Sequence, residues 1–180
     1  MEEIRDEHLK IGFFTASILH WKSLLKPAKY KNIITNSFDF LVRKNRAKIY
    51  GFVIMPNHIH FLWKIISPFT LDQVQRDFFK YTSQMIKFDL KENHPEVLKH
   101  FWVNLRDREY QFWQNKPLNK LLDSRKIVEQ KLDYIHNNPL KGRWMLADSP
   151  EEYFYSSYRY YEFEDKLSFP FLEHYMSCFE

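Results

Sequence analysis

KIYGFVIMPNHIHFLWKII, residues 48–66, is the stretch whose reading decides the fold. Two runs rich in β-branched and aromatic residues, 48–55 and 58–66, flank Pro56 and Asn57, which are turn formers. The stretch therefore reads as two antiparallel strands joined by a tight turn. Side chains alternate along a strand, so His58 and His60 share one face and Ile59 points to the other. Imidazoles are costly in such apolar company unless something compensates them.

Working outward, IGFFTASIL at 11–19 reads as a first strand. Tyr30, Ile33, Ile34, Ser37 and Leu41 recur at helical spacing and predict an amphipathic helix over 28–45. Thr70 and Gln73 have capping-box spacing, and Leu71, Val74, Phe78, Tyr81 and Met85 then predict one buried stripe. YQFWQ at 110–114 reads as a further strand. Asp123 or Ser124 caps a third helix running to about His136, with Val128, Leu132 and Ile135 on one face and Pro139 and Gly142 ending it. Residues 92–108 carry no clear pattern, and the aromatic tail from Ser149 is expected to pack back. The order predicts an α+β fold, a ferredoxin-like sandwich whose central antiparallel sheet carries helices packed on one face. One domain is expected to span residues 1–180.

The chain has 180 residues, a net charge of +4 and 18% aromatic residues, enough for a core and for stacking surfaces besides. Basic residues gather between Lys22 and Lys48 and again between Lys116 and Arg143, which suits a polyanion but also describes solvated helix faces. Cys178 is the sole cysteine, which excludes an internal disulfide and a cysteine zinc centre. The opening MEEIRDEHLK has no apolar signal core, and no run reaches membrane-spanning length, so a cytoplasmic protein is expected.

Two histidines on one strand face can chelate a divalent ion through imidazole nitrogens. They can equally be ordinary polar residues of a half-exposed strand, and the pair alone leaves both readings open. DYIHNNP at 133–139 supplies candidates for completing a site, because Tyr134 and Asn138 stand one helical turn apart. Asn138 precedes Pro139, which biases it away from helical geometry. His136 lies on the far side of that helix and reads as structural.

Read together, YGFVIMPNHIHFLWKI, FWQN, LDYIHNNPLKGRW and YSSY resemble the REP-associated tyrosine transposases and their insertion-sequence relatives, small single-tyrosine HUH enzymes. The resemblance runs from about residue 10 to 161 and leaves the tail from about 163 unmatched. It implies a ferredoxin-like fold with the histidine pair on a central strand. His58 and His60 would then be metal ligands, Asn138 the third ligand and Tyr134 the nucleophile, with Mg²⁺ or Mn²⁺ as the ion. The implied reaction is cleavage of single-stranded DNA through a 5′-phosphotyrosine, followed by strand transfer. The implied partner is single-stranded DNA with a hairpin near the cleavage point, with no membrane, and with the protein a homodimer or a monomer. Two other classes compete: a non-catalytic DNA-hairpin-binding descendant, and an unrelated metal hydrolase using the H-x-H pair.

Overall fold

The computed structural model describes residues 10–179; residues 1–9 of the charged opening stretch read above lie outside them. Strand β1 (Ile11–Ser17) leads to helix α1 (Ala28–Arg43), then to the hairpin β2 (Ala47–Ile54) and β3 (His58–Ile65). Helix α2 (Leu71–Asn93) follows, then the short α3 (Pro95–Lys99) and a separate hairpin, β4 (Trp102–Leu105) and β5 (Arg108–Tyr110). Strand β6 (Leu118–Leu122) returns to the main sheet, and α4 (Arg125–Asn137) and α5 (Tyr158–Glu162) complete the helices. The four-stranded sheet has the order β2-β3-β1-β6 with every pairing antiparallel, the ferredoxin-like arrangement.

Helices α1 and α2 pack on one face of the sheet, as the sequence predicts. Alternation drives Phe14, Phe52, Phe61 and Trp63 into that layer, where they meet Phe38 of α1 and Phe78 of α2. Phe38 and Phe61 lie 4.9 Å apart between ring centroids, so much of the aromatic content is core. Each such ring, fully buried, contributes about 1.5–3 kcal/mol. The opposite face is also covered. Val128, Leu132 and Ile135 of α4 pack against Phe13, Tyr50, Val53 and Leu62. The tail packs back as expected: the Tyr153 hydroxyl donates to the Ile54 carbonyl (2.6 Å), and Phe169 meets Phe52 edge-on.

Three expectations need correction. Beyond Tyr110, which ends β5, the stretch 110–114 is not a sheet strand. Phe112 and Trp113 are buried beside Phe101 and Phe79, so their apolar density serves packing, with only an isolated bridge from Trp113 to Ile18. The fourth strand is LNKLL at 118–122, an edge strand whose Leu118 and Leu121 are exposed, which erased the alternation a reader looks for.

The buried stripe of α2 runs Val74, Phe78, Thr82, Ile86, Leu90, leaving Tyr81 and Met85 exposed. Thr82 is tolerated there because its hydroxyl donates to the Phe78 carbonyl (2.9 Å) and accepts from Trp113 Nε1 (3.1 Å).

Asn138 keeps helical angles (φ −58°, ψ −41°) despite the following proline. The chain continues into a 3-10 turn, Asn138–Leu140, whose burial of Asn138 and Pro139 outweighs the local bias.

Candidate active site

His58 and His60 project from β3 onto the α4 face, while Ile59 and Phe61 enter the α1–α2 core. Register fixes their neighbours. His60 stands opposite Thr15 of β1, and its Nδ1 lies 2.7 Å from the Thr15 hydroxyl. His58 Nδ1 lies 2.6 Å from Asn57 Oδ1. Asn57 is itself held, because its Nδ2 donates to the Trp21 carbonyl (3.1 Å) and so turns Oδ1 to the ring. His58 Nδ1 therefore carries the proton, and its Nε2 offers a lone pair.

That Nε2 faces Asn138 Oδ1 at 3.3 Å. Two acceptors turned towards each other repel unless a cation lies between or beside them. Neighbouring ligands of one hard cation, each at about 2.1 Å, stand about 3 Å apart at right angles. The pair fits such an ion. Among the described residues no group of three His, Cys, Asp or Glu could hold a metal, so the amide oxygen is what would complete a set with the two imidazoles.

Tyr134 reaches the same place from α4. Its ring meets His60 edge-on at 5.2 Å and Phe13 edge-on at 6.0 Å, and the residue stays 39% exposed. Phe13 in turn stacks on His60 at 5.5 Å. Ser124 caps α4 through the Ile127 N–H and so sets the phase that puts Tyr134 and Asn138 over the sheet. His58, His60, Tyr134 and Asn138, separate in sequence, thus share one surface. His136 lies apart from it, buried, with Nε2 at 2.9 Å from Ser157 Oγ.

Burial pushes both site imidazoles down, His60 to about 3 with the charges of His58 and Lys131 adding to the effect. Neutral rings are the form that ligates a metal.

Several neighbours were not singled out from the sequence. Lys131 Nζ sits 4.7 Å over the Phe13 ring and 5.6 Å over the Tyr134 ring, and Lys141 Nζ sits 5.4 Å over Tyr134. Trp144 lies 6.1 Å from His58, with Arg143 over its ring. Lys131 could have been found, since it precedes Tyr134 by three on one helix face. Thr15 could not, because its contact depends on register.

Residues 21–138, a span holding the whole constellation, match the family described as Transposase IS200 like. The chain belongs to the IS200-like transposase family. It is 26% identical over 154 residues to the REP-associated tyrosine transposase of Escherichia coli (strain K12), covering 83% of this chain and 81% of that protein. Its fold is similar to that of a REP-associated tyrosine transposase solved bound to a REP hairpin. That likeness has a TM-score of 0.61 at 18% identity, over 88% of this chain and 84% of the other, and is one of fold. Among the described residues, no helix of this transposase-family chain is long and apolar enough to cross a membrane.

Proposed function

We propose that the chain is a single-stranded DNA transposase that cuts and rejoins strands with Tyr134 as nucleophile. The carrying observation is one of convergence. Tyr134 rests on His60 at 5.2 Å, while Asn138, one turn along, brings its amide oxygen to 3.3 Å from His58.

In this reading Tyr134 Oη attacks a backbone phosphorus. The Oη–P bond forms, the P–O3′ bond breaks, the phenol proton passes to solvent, and the leaving 3′-oxygen takes a proton from solvent to depart as a free 3′-hydroxyl. A second 3′-hydroxyl reverses the step on the 5′-phosphotyrosine and completes strand transfer. His58 Nε2, His60 Nε2 and Asn138 Oδ1 would hold a Mg²⁺ or Mn²⁺ ion. Bound there, the ion would supply Lewis-acid charge to the phosphate oxygens. Lys131 and Lys141 flank the phenol and add positive charge where a phosphate arrives. A DNA hairpin beside the cleavage point is proposed as the recognised substrate, supported by the hairpin complex of the fold relative.

The test is covalent capture. Purified protein, a labelled single-stranded oligonucleotide and Mn²⁺ should give a denaturation-resistant adduct that is lost in Tyr134→Phe and in His58→Ala/His60→Ala. An adduct surviving in Tyr134→Phe would move the nucleophile elsewhere. Tight binding without cleavage in any divalent ion would favour the non-catalytic hairpin binder.

A further inference from the structure

The aromatic tail lies beyond the matched span, 21–138, and runs along the outer edge of β2. Ser157 stands in there for a residue of a neighbouring strand. Its N–H donates to the Phe52 carbonyl (2.9 Å), and its hydroxyl accepts from the Phe52 N–H (3.0 Å). Farther on, Glu173 N donates to the Ile49 carbonyl (3.0 Å), the Tyr161 hydroxyl donates to the Tyr50 carbonyl, and Lys48 pairs with Glu173 at 2.8 Å. The tail is therefore anchored on the sheet at several points.

From that anchorage it reaches α4 twice. Tyr175, buried, donates its hydroxyl to Glu129 Oε1 (2.7 Å), which also pairs with Arg125 (2.7 Å). Ser157 Oγ lies 2.9 Å from His136 Nε2, and the rings of Tyr158 and Tyr161 close around that imidazole at 5.5 and 5.7 Å. Glu129 and His136 are seven residues apart, about two turns, so they share one flank of the helix. Tyr134 and Asn138 occupy the opposite flank, with Val128, Leu132 and Ile135 packed on the sheet between the two.

We infer that Glu129 and His136 are positioning residues which, held by Tyr175 and Ser157 of the tail, set the rotation of α4 at which Tyr134 attacks. Apolar packing is non-directional, so it resists withdrawal of a helix better than rotation about its own axis. Two hydrogen-bonded ties on one flank resist rotation. A rotation of about 10° moves a side-chain tip about 6 Å from the axis by about 1 Å. A misplacement of about 1 Å is enough to cost about 100-fold in rate. The inference rests on the Tyr134 reading proposed above and adds the tail to the machinery that serves it.

The experiment separates positioning from binding and from folding. Tyr175→Phe removes one hydroxyl and keeps the ring, and His136→Leu removes the second tie and keeps most of the bulk. Together they should lower the saturating rate of adduct formation, with a labelled single strand and Mn²⁺, by about tenfold or more. The half-saturating DNA concentration should not change. Glu129→Gln/His136→Gln, which keeps a hydrogen-bonding group at each place, should retain most of the rate. Native-state hydrogen exchange adds a readout that needs no cleavage: amides of residues 134–138 should exchange about tenfold faster in Tyr175→Phe/His136→Leu while those of β3 hold. An unaltered saturating rate in that folded variant, its adduct still requiring Tyr134, would overturn the positioning role and leave the nucleophile in place. A faster rate would overturn it too, making the tail a restraint on α4. So would unaltered exchange across α4, or a raised half-saturating concentration at unchanged rate. An adduct that persists in Tyr134→Phe, with exchange quickened as expected, would overturn the nucleophile and support the hold of the tail on α4.

Discussion

His58 Nε2 and Asn138 Oδ1, 80 residues apart in the chain, face each other at 3.3 Å as two acceptors. The relationship depends on Asn57, whose Oδ1 accepts from His58 Nδ1–H and whose own Nδ2 donates to the Trp21 carbonyl. Orientation of the first imidazole is thus set one residue before it.

Asn57→Ala should therefore weaken divalent-ion binding by about 10- to 100-fold, the usual cost of losing a group that orients a ligand. Titration with Mn²⁺, read by electron paramagnetic resonance, measures it. Asn138→Ala should weaken binding at least as much, and Asn138→Asp should tighten it by adding a charged oxygen. Unchanged Mn²⁺ affinity in all three would remove the ion from this place.

Lys131 and Lys141 bracket the Tyr134 ring. Replacing either with Ala should slow adduct formation about 10- to 100-fold, because each contributes charge to a phosphate whose negative charge grows on attack. Mn²⁺ affinity should not fall, since removing a cation beside His60 relieves charge repulsion, and Arg at either position should restore part of the rate. A variant that loses Mn²⁺ affinity in step with rate would instead make the lysine structural.

His136 gives the fold a pH dependence that can be isolated. Burial pushes it down to about 4, and its Nε2 lies 2.9 Å from Ser157 Oγ. Above the unfolded value near 6.5 both states carry a neutral ring and nothing is lost. As pH falls below that, the unfolded chain takes up a proton that the folded one refuses, so stability declines towards the folded value. At about pH 5 the loss amounts to about 2 kcal/mol. Thermal melts from pH 7.5 to 5 should show it, with a smaller decline in His136→Gln. His60, also depressed, adds a decline of the same sign that the variant keeps.

How much of this was legible follows from where each signal lives. The β2–β3 hairpin is local: alternation plus a turn pair specify both strands and the common face of His58 and His60. The cap at Ser124 and the stripe of α4 are local as well, which placed Tyr134 and Asn138 on one side. β6 was missed because an edge strand buries too little to impose a pattern, and YQFWQ misled because aromatic density marks burial and not pairing. Thr82 hid the true stripe of α2 behind a polar name, its hydroxyl being satisfied within the helix. Thr15 and the approach of Lys141 belong to register and tertiary packing, and no window of sequence contains them.

Gly51 carries the last prediction, since it controls how closely α4 approaches the sheet. A Cβ there would lie 2.5 Å from Leu132 Cδ2 and 3.3 Å from Ser157 Oγ. Leu132 is two residues before Tyr134, so a displacement of α4 that relieves the contact would carry the nucleophile with it. Gly51→Ala should cost about 1–3 kcal/mol of stability through overpacking, and adduct formation should slow even where the protein remains folded. If contact with Leu132 is the cause, Gly51→Ala/Leu132→Ala should be more stable than the sum of the two single losses, because the new methyl fills the space the leucine leaves. Strict additivity in chemical denaturation would show that the two positions do not meet and that α4 is held in place by other contacts.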